Sequence, residues 1–310
     1  MITFLLISSD MFLQQLINGL TLGAVYALIA IGYTMVYGIL GLINFAHGEI
    51  YMIGAYLSII FLALFTVIGL TDYNLILSLL MTAILSIIFC SAYGFTIEKI
   101  AYKPLRKAPR LSPLISAIGI SIFLQNYVML TQGATDKVFP YKFGEKGFLF
   151  LDVHITYIQT IIIVICTFLM LSLHLFIKKT RLGKAMRATS QDKIMASLVG
   201  INIDSIISFT FIIGAGLAAV AGMIVASYYG LINYYIGYIA GIKAFTAAVL
   251  GGIGNMPGAM LGGIVLGLVE SFGAAYISSE YKDVYAFILL IIVLLIKPSG
   301  IMGKASEEKV

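Results

Sequence analysis

The sequence predicts an all-α membrane protein, a helical bundle of about eight or nine spans, and three observations carry that prediction. Of 310 residues, 61% are hydrophobic and only 11% are charged, whereas soluble domains carry roughly 25% charged residues. So few charges cannot cover a water-facing surface, and lipid must be the solvent for much of the chain. The apolar residues gather into runs close to the roughly 20 residues that cross a bilayer as helix. The polar segments between the runs are short, so the whole chain, 1–310, reads as one membrane domain with no room for a soluble enzyme beside it.

The runs fall at 12–40, 50–69, 75–97, 111–131, 155–177, 205–229, 238–253, 258–277 and 284–297. The first, about 43 Å long at 1.5 Å per residue, exceeds the roughly 30 Å hydrocarbon core, so it must tilt, break or end early. Orientation follows from the basic residues. Eleven of the nineteen Lys and Arg lie in two segments, 99–110 and 178–193, which the positive-inside rule places in the cytoplasm. Two spans separate them, so both fit on one side. The segment 132–154 between those spans balances three Lys against Asp136, Glu145 and Asp152, as an outside loop can. Four further spans return the C-terminus to the cytoplasm, where Lys297, Lys304 and Lys309 agree. The first basic residue is Lys99, so no cleavable signal peptide is expected. Cys90 and Cys166 each sit inside an apolar run and read as small core residues.

An internal repeat is present. Gly41-Leu42-Ile43-Asn44 recurs as Gly230-Leu231-Ile232-Asn233, and the same offset of 189 gives nine identities in 24 positions from Tyr33 to Tyr56. Five spans separate the copies, so they face opposite sides of the membrane. Inverted halves of this kind place a transporter's pathway at the interface between them.

The segment 41-GLINFAHGEIYMIGAY-56 packs Asn44, His47 and Glu49 into six residues between two apolar runs. Polar groups at membrane depth are costly and face a water-filled path or a partner. Two readings stand: a broken helix lining a translocation route, with freed backbone groups satisfied by Asn44 or Glu49, or an ordinary interfacial turn. Gln125, Asn126, Asn233, Lys243 and Glu270 are further isolated polar residues. Each either lines the route or makes one interhelical hydrogen bond, and Lys243 has the added option of snorkelling to an interface. Small-xxx-small pairs at Gly19/Gly23, Gly237/Gly241, Gly258/Gly262 and Gly263/Gly267 predict close helix packing. The run 250–263 reads as a turn marked by Asn255, Pro257 and Gly258.

The second basic segment continues as 185-AMRATSQDKIMASLVGIN-202. Asp192 suits a helix N-terminus, Gly200 suits the position just past a helix end, and Ile194, Met195 and Leu198 share one face. This describes a short amphipathic helix whose apolar stripe is rimmed by Arg187 and Lys193. Such a helix either docks into a groove on a soluble partner or lies in the headgroup layer. The sequence contains no phosphate-binding loop, no catalytic constellation and no metal-ligand set. No cofactor is expected on this chain, and any ATP must bind to a partner subunit.

With those residues in view, the chain resembles the branched-chain amino acid permeases of bacterial ABC importers, the H-type subunits of Liv systems in particular. The resemblance is carried by 18–56 with its NFAHGE hexapeptide, by 116-SAIGISIFLQNYV-128, by 181-RLGKAMRA-188 with 195-MASLVGIN-202, and by 243–263. It implies an inner-membrane permease that pairs with a second, related permease. It also implies two ATPase subunits gripping a coupling helix at roughly 185–200, and a periplasmic binding protein delivering leucine, isoleucine or valine. Urea and short-chain amide importers use similar permeases, and a stand-alone proton-coupled transporter working through Glu49, His47 or Glu270 is the alternative of another class.

Overall fold

The computed structural model describes residues 9–106, 108–109, 111–144, 146–150 and 153–303. The expectations placed on Arg110, Glu145, Asp152, Lys304 and Lys309 lie outside the described residues. Twelve α-helices occur among the described residues: α1 (Ser9–Leu40), α2 (His47–Val67), α3 (Leu70–Tyr73), α4 (Leu75–Ile97), α5 (Leu111–Gln132), α6 (Tyr157–Lys179), α7 (Arg181–Gln191), α8 (Lys193–Leu198), α9 (Ile203–Tyr229), α10 (Ile236–Gly251), α11 (Met256–Tyr276) and α12 (Lys282–Ile296). Seven are long and apolar enough to cross a membrane, and α10 and α12 are shorter, at 16 and 15 residues. Each of the nine expected runs thus corresponds to one of these nine helices. The over-long first run neither breaks nor ends early, since α1 continues for 32 residues.

Helix ends follow local chemistry. Asn74, Asn202 and Asn255 each cap a helix by accepting a backbone N–H, at Leu77, Ser205 and Gly258. Thr156 and Gln159 form a reciprocal capping box at the start of α6. Past Ile97, α4 widens into a π-helical turn, Glu98–Tyr102. The expected turn near Asn255 and Pro257 is present, and Gly252 and Gly254 take positive φ there.

The 132–154 segment is more ordered than an all-α reading foresees. Strand β1 (Lys137–Val138) pairs with β4 (Leu231–Ile232), and β2 (Gly147–Phe150) pairs with β3 (Val153–Thr156). These short ladders satisfy the backbone of an exposed connection and lash it to the segment joining α9 and α10.

The repeat is structural. Helices α1 and α9 end at Leu40 and Tyr229, and α2 and α10 begin at His47 and Ile236, each pair 189 residues apart. The following glycines, Gly41 and Gly230, take φ of 72° and 69°, the left-handed values that let a helix stop. Packing obeys the same relation: α1 lies along α11 as α9 lies along α4, and α10 packs on α1 as α2 packs on α9. Small residues permit these approaches. A Cβ at Gly23 would come within 2.8 Å of the Ile264 backbone, and one at Gly54 within 2.6 Å of that of Ala219. With lipid as solvent, such van der Waals contact replaces the hydrophobic effect as the force between helices.

Both basic segments, α7, α8 and the last described residues gather at one end of the bundle. There Ile301 and Met302 donate backbone N–H groups to Leu250 and Gly251 at 2.8 and 3.0 Å, so the chain folds back onto the end of α10.

Candidate functional site at the meeting of the two repeats

After α1 stops, residues 41–46 are not helical, and the chain folds back beside the helix it has left. His47 illustrates the depth reached. Its ring packs against Gly32 and lies 4.9 Å from the Tyr33 ring, edge to face. Gly32 is eight residues before the end of α1, about 12 Å at 1.5 Å per residue. Gly214 of α9 closes the other side of this slot, with its ideal Cβ 3.6 Å from the His47 ring. At Gly32 a Cβ would run into the ring, so only a glycine there leaves room for the imidazole.

The side chains of Asn44 and Glu49 do not satisfy the freed backbone of this turn, as one reading of the sequence had them do. His47 N–H donates to the Asn44 carbonyl at 3.0 Å. The Tyr102 hydroxyl lies 3.3 Å from the Ile43 carbonyl and 3.1 Å from Asn44 Oδ1, donating toward both. Tyr102 belongs to the π-helical turn, whose wider winding swings its ring into the core beside Phe211.

Glu49, in the first turn of α2, is 1% exposed. Its Oε1 accepts from Ser121 Oγ of α5 at 3.1 Å. Its Oε2 faces Gly237 at the start of α10, where a Cβ would sit 2.5 Å away. The starts of the two symmetry-related helices therefore touch: Gly48 abuts the Gly237 carbonyl and Gly241. Beside this contact lies a cavity of about 470 Å³ lined by Tyr33, Phe45, Glu49, Ser121, Gln125 and Tyr238 among others. Asn44 Nδ2, His47 Nε2, Glu49 Oε2 and Gln125 Nε2 are buried and have no hydrogen-bond partner among the described residues. Four such atoms around one turn depart from the rule that buried polar groups are paired.

The other expected residues are dispersed. Asn126 lies on the exposed side of α5, its amide donating to the Ile122 carbonyl of its own helix. Asn233 and Glu270 line a second cavity of about 450 Å³ at the end away from the basic segments. There Lys243 is buried and snorkels nowhere: it pairs with Glu270 at 2.8 Å and Asp283 at 2.7 Å, and Tyr26 donates to Glu270 at 2.9 Å. A corresponding buried carboxylate at the basic end, Glu98, pairs with Arg106 and accepts from Ser208 at 2.8 Å. Arg106 continues to Asp204 of α9.

The amphipathic helix expected between Asp192 and Gly200 is α8, and the wider coupling segment of about 185–200 that the resemblance implies also takes in the end of α7. Asp192 takes an extended conformation that ends α7, and its carboxylate caps α8 by accepting from Ile194 and Met195. Gly200 takes φ of 85° just past the helix end. Ile194, Met195, Leu198 and Val199 are exposed, Leu198 by 75%, and form the expected stripe. Arg187 and Lys193, the expected rim, are exposed and each reaches another helix. Arg187 donates to the Lys178 carbonyl of α6, and Lys193 Nζ donates to the Leu40 carbonyl of α1, both at 3.3 Å. Cations at helix C-termini complement the macrodipole, so these contacts tie both side chains to the ends of α6 and α1. Partial burial and the nearby Arg106 charge hold the Lys193 ammonium pKa below its ordinary value.

Sequence reasoning missed Ser121, Tyr102 and the Gly32–Gly214 slot. Ser121 was findable, being four residues before Gln125 and so on the same helix face. Nothing distinguishes Gly32 or Gly214 among 31 glycines.

Comparison with known proteins shows the family. The family model described as "Branched-chain amino acid transport system / permease component" matches residues 15–294. The permease protein LivH of the high-affinity branched-chain amino acid transport system of Salmonella typhimurium is 53% identical over 304 residues, covering 96% of this chain and 98% of its own. BraD, so described in Pseudomonas aeruginosa, is 55% identical over 305 residues with the same coverage. A solved structure, PsaBC from Streptococcus pneumoniae in complex with Fab, superposes with a TM-score of 0.49 at 14% identity, covering 96% of this chain and 97% of that one. With its apolar spans, its re-entrant inverted halves and a family match over most of its length, this chain belongs to the permease family of branched-chain amino acid transport systems, as a multi-pass membrane protein.

Proposed function

We propose that this chain is the pore-forming permease of an ATP-driven importer in a bacterial cytoplasmic membrane, passing leucine, isoleucine or valine from a periplasmic binding protein. The observation that carries this reading is identity above half over 96% of the chain to permeases named for branched-chain amino acid transport. The whole chain acts as one permease domain beside a second, related permease. Two ATPase subunits bind below, and the segment about 178–202 is the handle they hold.

The contacts of that handle suggest how it works. The apolar stripe of α8 inserts into an ATPase groove, while Arg187 and Lys193 tie α7 and α8 to the ends of α6 and α1. Movement of the handle therefore reaches Leu40, one residue before the left-handed Gly41 and the re-entrant turn. Tilting that turn against the start of α10 opens the central cavity to one side or the other. In this reading the basic end and the described C-terminal residues are cytoplasmic, and Asn233 and Glu270 line the outward mouth.

Reconstitution of the chain with a sister permease, two ATPases and a binding protein tests this function. ATP-dependent leucine uptake is expected only when all are present. Nucleotide-free uptake by this chain alone, abolished by collapsing a proton gradient, would replace the proposal with secondary transport.

A further inference from the structure

The central cavity holds two unsatisfied polar atoms of opposite character. Glu49 Oε2 is an acceptor and Gln125 Nε2 is a donor, both buried without partners, and both residues line the same cavity of about 470 Å³. They come from different helices, α2 and α5, joined by the Ser121–Glu49 hydrogen bond of 3.1 Å. Gln125 stands one turn beyond Ser121, so Gln125 and the Ser121-bound Glu49 carboxylate lie along the same face of α5. Between and around them the wall is apolar or aromatic: Phe45, Ile118, Ile122, Ile242 and Tyr238. The volume falls in the range of small-molecule sites, about 300–1,000 Å³.

A lone acceptor and a lone donor on the wall of one largely apolar cavity match a small zwitterion carrying an aliphatic group. We propose that this cavity is a substrate-binding waystation within the permease itself, which recognises an aliphatic α-amino acid by its two charged ends. Glu49 Oε2 accepts from the α-ammonium group, Gln125 Nε2 donates to the α-carboxylate, and the isoleucines and Phe45 receive the side chain. Ser121 positions the Glu49 carboxylate by holding its other oxygen. Gly237 leaves the space beside Oε2 that a side chain would fill. This assignment rests on the amino acid permease reading above and deepens it: the chain does not only conduct what a binding protein selects but reads the backbone of the amino acid again.

The test is equilibrium binding of radiolabelled leucine to the purified permease–ATPase complex without binding protein, alongside ATP-driven uptake by the complete system. Saturable binding is expected in the parent complex. It should be competed by valine, but not by 4-methylpentanoate, which lacks the ammonium group, or by isoamylamine, which lacks the carboxylate. Glu49→Gln keeps the shape and loses the charge; it should weaken binding roughly tenfold or more, as expected for the loss of one hydrogen bond to a charged group. Gln125→Ala should weaken binding several-fold. Asn126→Ala, on the exposed face of the same helix, should bind like the parent, and co-elution with the ATPase shows that each variant is folded. Unchanged binding and uptake in Glu49→Gln would overturn the site. So would a parent complex that takes up leucine but binds none of it, a result that leaves the permease function standing. Failure of the complete system to take up any branched-chain amino acid would instead remove the reading on which the site rests.

Discussion

Lys243 shows what one buried charge demands. It bridges Glu270 and Asp283 within hydrogen-bond distance, joining α10, α11 and the start of α12. Lys243→Met should strand the Glu270 carboxylate in the bundle interior, at a cost of about 3–5 kcal/mol. Thermal unfolding in detergent should show a clearly lower midpoint, and adding Glu270→Gln should recover much of the loss; a single variant as stable as the parent would refute the account. Glycines supply a sharper contrast. Gly48→Val drives a Cβ into the Gly237 carbonyl and Gly241, so folded yield and uptake should both be lost. Gly119, also helical, has nothing within 4 Å of its ideal Cβ, so Gly119→Ala should be neutral or stabilising by up to about 1 kcal/mol. Sequence alone does not separate these two glycines, because which helix lies opposite is decided by packing.

Among the elements, α8 carries the clearest consequence. It has six residues, its stripe is exposed, and its backbone ladder begins with Ala196 N–H donating to Asp192 at 3.0 Å. Ala196→Pro removes that bond and breaks the turn. Membrane insertion should be normal, with uptake and co-purification of the ATPase lost; normal uptake would count against α8 as the handle. Leu198→Asp, which leaves the backbone untouched, should weaken ATPase binding by the same route. The cap at Asp192, the stop at Gly200 and the stripe were all legible, because each depends on residues a few positions apart. The ties of Arg187 and Lys193 were not, since they depend on the ends of α6 and α1 arriving nearby.

For the molecule as a whole, the testable claim is sidedness. Ser190 of α7 and Val138 of β1 lie at opposite ends of the bundle. In the reading above, Ser190→Cys should react with a membrane-impermeant maleimide only from the cytoplasmic side, and Val138→Cys only from the outside. Cys90 and Cys166 are buried and should contribute little background. Labelling of both from one side would refute the arrangement.

The sequence by itself determined the bundle, the positions of its long helices, the offset of the repeat, and the gathering of Asn44, His47 and Glu49 into one segment. All of these follow from composition, run length and local turn chemistry, which act over a few residues. Only the tertiary structure decided that α1 runs unbroken, that His47 sits in a slot between Gly32 and Gly214, that Lys243 is neutralised by Glu270 and Asp283, and that Glu49 and Gln125 share a cavity while Asn126 faces outward. The physical reason is that a polar residue inside a bilayer protein takes its meaning from the partner across the interface. That partner is set by how helices separated in sequence by tens of residues or more come to touch.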